Sequence, residues 1–118
     1  MPTKRRFLAV LVLESRVGAR DESPIVDHQV RVIEAASPAK AYARALELGE
    51  AENATVKSPD GSTVTWTFLG LSELALLDAR QLRDGGELTS WRTRGPGREF
   101  VRERGQLASF AAKASNKK

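Results

Sequence analysis

The chain contains no cysteine, a single histidine, one methionine and one tyrosine. Without cysteine there is no disulfide, no thiolate metal site and no thiol nucleophile. With one histidine, a metal centre would have to be built from carboxylates. Asp21-Glu22, Glu50 with Glu52 and Glu99 with Glu103 lack the spacing of a calcium loop. No metal and no cofactor are therefore expected. Ser15, Ser23 and Ser62 have no G-x-S-x-G elbow around them. Gly95-Pro96-Gly97 could place amides near an anion, but Pro96 removes one and the phosphate-loop pattern is missing. No apolar run approaches the roughly 18 residues of a membrane span. Leu8 to Leu13, after Lys4, Arg5 and Arg6, is too short and has no cleavage pattern of small residues. These absences point to a cytoplasmic domain that is not an enzyme and has no membrane partner.

What is present is one small domain's worth of chain with an uneven charge. The 118 residues carry a net charge of +4 with 41% hydrophobic residues, enough for a modest core. From Arg92 to Lys118 there are eight basic residues against two acids, a net of +6; residues 7 to 91 have eight basic residues against thirteen acids, a net of −5. An acidic body thus sits between basic ends.

Phe7 to Glu14 is apolar at both parities, the pattern of a strand covered on both faces. Arg16 to Pro24 reads as a loop. Ile25 to Ala35 alternates, with Val26, His28, Val30, Val32 and Glu34 on one side and Asp27, Gln29 and Arg31 on the other, a one-sided strand antiparallel to the first. Ser37-Pro38 starts a helix, the serine hydroxyl capping a free amide and proline occupying a position whose amide would be unpaired. Ala41, Ala45 and Leu48 form its inner stripe, with Tyr42 and Leu46 beside them, and Gly49 is placed to end it. Ser58-Pro59-Asp60-Gly61 joins Ala54–Lys57 and Ser62–Leu69 as a hairpin. In its second arm Val64, Trp66 and Phe68 oppose Thr63, Thr65 and Thr67. Leu71 to Leu77 fits either a strand or a helix capped by Ser72, with the strand preferred. A turn at Asp84-Gly85-Gly86 leads to a further strand, Glu87 to Thr93. Arg98 to Lys113 places Phe100, Leu107 and Ala111 along one helical side, and Gly105 weakens that helix by about 1 kcal/mol relative to alanine. Ser115 to Lys118 are expected to be disordered.

The fold class expected is α+β: a mainly antiparallel sheet of five or six strands, one packed helix at 37–49 and a basic C-terminal helix. Residues 1–95 would form the compact domain and 96–118 the basic helix and tail.

The segments AVLVLES, HQVRVIEAASPAKAYARALELG, DGSTVTWTFLGLSEL and DGGELTSW, in this order of elements, resemble the uncharacterised domain-of-unknown-function family 4288. The likeness runs from residue 6 to about 92. It is carried by Glu14-Ser15, Ile33-Glu34-Ala35, Ala41, Gly49, Trp66, Gly70 and Gly86-Glu87. The resemblance implies a compact α+β fold and a bacterial origin, and assigns no activity. The segment from Arg94 onward lies outside it.

His28 is the one side chain suited to general-base chemistry near neutral pH. It shares a strand face with Glu34, six positions and roughly 20 Å away, too far for a dyad. Glu14 and Glu34 end apolar strands, either as solvated ends or as recognition carboxylates. Trp66 reads as core and Trp91, between Ser90 and Arg92, as an exposed anchor. Arg92, Arg94, Arg98, Arg102 and Arg104, with Trp91 and Phe100 nearby, could neutralise phosphates and stack on bases. The first strand, apolar on both faces, needs a cover on the face without the helix, either the C-terminal helix or another copy. The expectation is a protein-binding module that self-associates as a homodimer or binds another protein. The alternatives are a nucleic-acid-binding accessory protein and an immunity or antitoxin protein.

Overall fold

The computed structural model describes residues 3–18, 23–107 and 109. The chain divides into two compact units, Met1–Leu88 and Thr89–Lys118.

In the first unit the order is β1 (Arg5–Val17), β2 (Ile25–Ala35), α1 (Pro38–Glu50), β3 (Ala54–Lys57) and β4 (Thr63–Leu77). Among the described residues the sheet has four strands, not five or six, in the order β2-β1-β4-β3, and every pairing is antiparallel. β1 is the central strand its two-sided apolarity predicts. Phe7, Ala9, Leu11 and Leu13 are buried on the α1 side, where they pack with Ile33, Ala35, Ala41 and Ala45. Leu8, on the opposite face, is also buried, while Val10 and Val12 beyond it are half-buried.

β4 resolves the reading of residues 71–77 as strand. The hairpin arm runs on to Leu77 in one long strand with Trp66, Phe68, Leu71 and Leu74 against the core. Its register with β1 shifts between Val10 and Leu11 and between Val12 and Leu13. These bulges leave β4 one residue longer at each step, and Gly70, at φ 148°, supplies backbone freedom beside one of them. The joint to β3 is the turn the sequence predicts. Asp60 Oδ1 accepts from the Ser62 amide at 2.9 Å and its hydroxyl at 2.7 Å, and Gly61 takes φ 90°.

α1 begins as expected: the Ser37 hydroxyl accepts from the Lys40 amide at 3.2 Å and Pro38 opens the helix. Its end differs from expectation. The helix passes through Gly49 to Glu50, and Ala51 is the cap residue in right-handed helical conformation. Gly49 is buried and faces the sheet; a Cβ there would run into the Phe68 ring. It is a packing glycine rather than a terminator.

The Thr89–Lys118 unit departs further. Glu87 to Thr93 forms no strand; Leu88 and Trp91 are exposed and the segment offers no alternating apolar face to bury. Over residues 98–107 of the expected C-terminal helix there are two 3-10 turns instead, Gly97–Phe100 and Arg104–Gln106, and residue 108 lies outside the described residues. Gly95, Pro96, Gly97 and Gly105 interrupt any long helical run, and short runs between them do not recover the cost of helix nucleation. Residues 110–113 of the expected helix, and Ser115–Lys118, expected to be disordered, lie outside the described residues.

Candidate interaction surface

The strand order makes β2 an edge: among the described residues one side pairs with β1 and the other has no strand partner. The other edge is formed by the short β3, which ends in Lys57, and by residues 67–77 of β4, which β3 does not reach and which carry the two bulges. β2 runs from Ile25 to Ala35 in unbroken register with β1, without an internal proline or a bulge. It therefore lacks two common devices that protect an edge from pairing with another chain, and its principal deterrents are its charged side chains.

The faces of β2 are assigned opposite to simple hydrophobic counting. Ile33 and Ala35 are buried beneath α1, and Asp27, Gln29 and Arg31 lie half-buried on that same side. Val26, Val30 and Val32 are 44%, 56% and 58% exposed on the open face. Register explains it: Phe7 stands opposite Ile33, so the parity that puts Phe7 in the core also puts Ile33 there and turns the valines out. The polar residues beneath are satisfied. Gln29 donates to Asp27 Oδ2 at 3.0 Å, Arg31 donates to Gln29 Oε1 at 2.7 Å, and Arg31 pairs with Glu52 at 3.6 Å.

Of the residues singled out from sequence, Glu14, His28 and Glu34 share this open face. His28 is exposed opposite Val12, Glu14 stands opposite Val26, and Glu34 opposite Arg6. The two carboxylates are held by neighbouring guanidinium groups, Arg16 to Glu14 at 2.8 Å and Arg6 to Glu34 at 3.5 Å. Among the described residues no group of three or more His, Cys, Asp or Glu is placed to hold a metal. Trp66 packs against the core, whereas Trp91 is 80% exposed. Arg92, Arg94, Arg98, Arg102 and Arg104 are all exposed in the second unit, with Phe100 and Val101 between them.

Two features escaped the sequence. An open depression of about 520 Å³ is lined by Lys4, Arg6, Arg31, Glu34, Arg44 and Leu48, among others. Its lining joins residues 31–34 of β2 with Lys4 and Arg6 at the start of β1 and with Arg44 and Leu48 of α1, a grouping with no signature in any one segment. Farther along, Asp78 and Gln81 hold the loop after β4 reciprocally. The Asp78 amide donates to Gln81 Oε1 at 2.8 Å, the Gln81 amide donates to Asp78 Oδ1 at 3.0 Å, and Gln81 Nε2 reaches the Glu87 carbonyl at 3.2 Å. An aspartate three residues before a glutamine was the available signal.

Fold and surface together define a small α+β domain: one helix on one face of an antiparallel sheet, with an exposed valine row on the other. Over residues 6–90 the chain matches the family model described as Domain of unknown function (DUF4288), and it belongs to that family. No curated protein and no solved structure matches it. No helix among the described residues is long and apolar enough to cross a membrane.

Proposed function

We propose that the domain is a non-enzymatic protein-binding module that self-associates through the β2 side of its sheet. The observation that carries this reading is the set Val26, Val30 and Val32, exposed on one face of a long edge strand that has no proline and no bulge. β-Branched residues on an edge strand pack against cross-strand neighbours when a second strand is added beside them, and a solvated edge has no comparable use for three of them. The contact surface lies in the acidic body, so the basic segment is dispensable for it. Size-exclusion chromatography with light scattering on the full chain and on a chain truncated after Gly95 tests the reading. Both should elute at twice the monomer mass. A monomer in both, at concentrations up to the millimolar range, contradicts it.

A second reading rests on a separate observation, the exposed Trp91 and Phe100 interleaved with Arg92, Arg94, Arg98 and Arg102. Exposed aromatics among arginines suit stacking on bases and neutralisation of phosphates. Fluorescence anisotropy with single-stranded DNA and RNA should then show binding that weakens steeply with salt. Absence of binding at low salt removes this role.

A further inference from the structure

We infer that two copies meet edge to edge, β2 against β2 of the second copy, antiparallel about a two-fold axis at Gln29. The inference rests on the self-association reading and specifies its geometry. A two-fold antiparallel pairing sets each residue of β2 opposite a residue of the same face in the partner strand. Few registers are open, and side-chain chemistry separates them. Centred on Gln29, Asp27 of each copy faces Arg31 of the other, Gln29 faces Gln29, Val26 faces Val32, His28 faces Val30 and Ile25 faces Ile33. Every polar residue on the α1 side meets a polar partner, the two charged pairs are of opposite sign, and the valines extend one another's row.

The neighbouring registers are worse. Centred on Val30, Asp27 faces Ile33 and Val26 faces Glu34. Centred on Arg31, two arginines face each other and Gln29 faces Ile33. Centred on His28, Ile25 faces Arg31 and the overlap shortens. Directly opposed cross-strand pairs each contribute roughly 0.2–1 kcal/mol, and like charges in that position oppose pairing, so the choice of register is decided by Asp27 and Arg31.

Space and charge beside the edge agree with this. The depression lined by residues 31–34 of β2 is rich in cationic groups, Lys4, Arg6, Arg31 and Arg44 against the single carboxylate Glu34 in its lining. In the proposed register the group brought toward Arg31 is the carboxylate of Asp27 from the second copy. Arg31 already shares its charge with Glu52 at 3.6 Å in a half-buried geometry, and its planar guanidinium has further N–H donors for a second carboxylate. The product is one sheet of twice the width, its outer edges now formed by the short β3, ending in Lys57, and by the bulged stretch of β4 beyond Trp66.

Because the chain has no cysteine, single cysteines report the register directly. Gln29→Cys places two sulfurs across the axis, where opposed antiparallel positions are about 4.5–5.5 Å apart between Cα atoms and within disulfide range. Mild oxidation of the full chain should link Gln29→Cys quickly, and Val30→Cys and Arg31→Cys far more slowly. In parallel, Asp27→Arg and Arg31→Asp should each raise the dissociation constant by about tenfold or more in sedimentation experiments, and the double variant should recover most of the wild-type value. Thermal melting of each variant shows that it remains folded. A wild-type dimer whose mass ignores both reversals, or that links preferentially at Val30 or Arg31, overturns this geometry while leaving self-association standing. A wild-type chain that is monomeric throughout overturns both.

Discussion

Asp60 shows how a single side chain sets a turn. Its carboxylate accepts the Ser62 hydroxyl and amide, and these hydrogen bonds hold its pKa below the usual carboxylate range. A depressed folded pKa means that the group adds stability above its unfolded pKa and loses it as pH falls through the folded value. The contribution is therefore complete at neutral pH, starts to fall as pH drops toward the unfolded carboxylate value of about 4, and is gone only below the lower folded value. Asp60→Asn keeps an acceptor but has no proton to take up. Urea unfolding of the two proteins between pH 6 and pH 2.5 should show the wild type losing more stability on acidification, and parallel curves would contradict the account. The Pro-Asp-Gly signal made this turn legible from sequence, because all of its interactions span only a few residues.

At the scale of elements, the distance between α1 and the sheet is set by small residues. Ala41, Ala45 and Gly49 are the buried positions of the helix, and the Phe68 ring occupies the space a side chain at 49 would need. Gly49→Ala should gain up to about 1 kcal/mol of helix propensity and lose about 1–3 kcal/mol to overpacking. The expected result is a net loss near 1 kcal/mol, read as a melting temperature lower by several degrees. A more stable variant would mean that the ring moves aside freely.

The sequence reading of Gly49 as a helix end failed for a physical reason. A glycine that ends a helix and a glycine pressed on an aromatic ring look alike until the strand that supplies the ring is placed. The face of β2 was illegible for the same reason. Val26, Val30 and Val32 are as apolar as Ile33 and Ala35, and only the register of Phe7 opposite Ile33 decides which set is buried. Elements whose signals are local, the Ser37-Pro38 helix start and the alternating hairpin arm, were read correctly. The segment after Gly86 was over-read, because β-forming residues without an apolar stripe supply nothing that burial could reward.

Across the whole molecule, charge and topology divide the work. Residues 7 to 91 carry the net negative charge and the sheet; the arginines collect beyond them. His28, Glu14 and Glu34 were named from sequence and do share one face. That this face borders a free edge follows from the order β2-β1-β4-β3, a non-local fact with no signature in any one segment. The same order makes a contrast that can be measured, since the β2 edge runs in unbroken register whereas the opposite edge is split between the short β3 and the bulged end of β4.

Amide hydrogen exchange resolved by residue, on the full chain at rising protein concentration, tests the central claim most directly. Self-association through β2 predicts that alternate amides between Ile25 and Ile33, those pointing away from β1, slow as concentration rises, while amides of β3 from Ala54 to Lys57 exchange at an unchanged rate. Concentration-independent exchange along β2, or protection appearing first in residues 91–107, would contradict it.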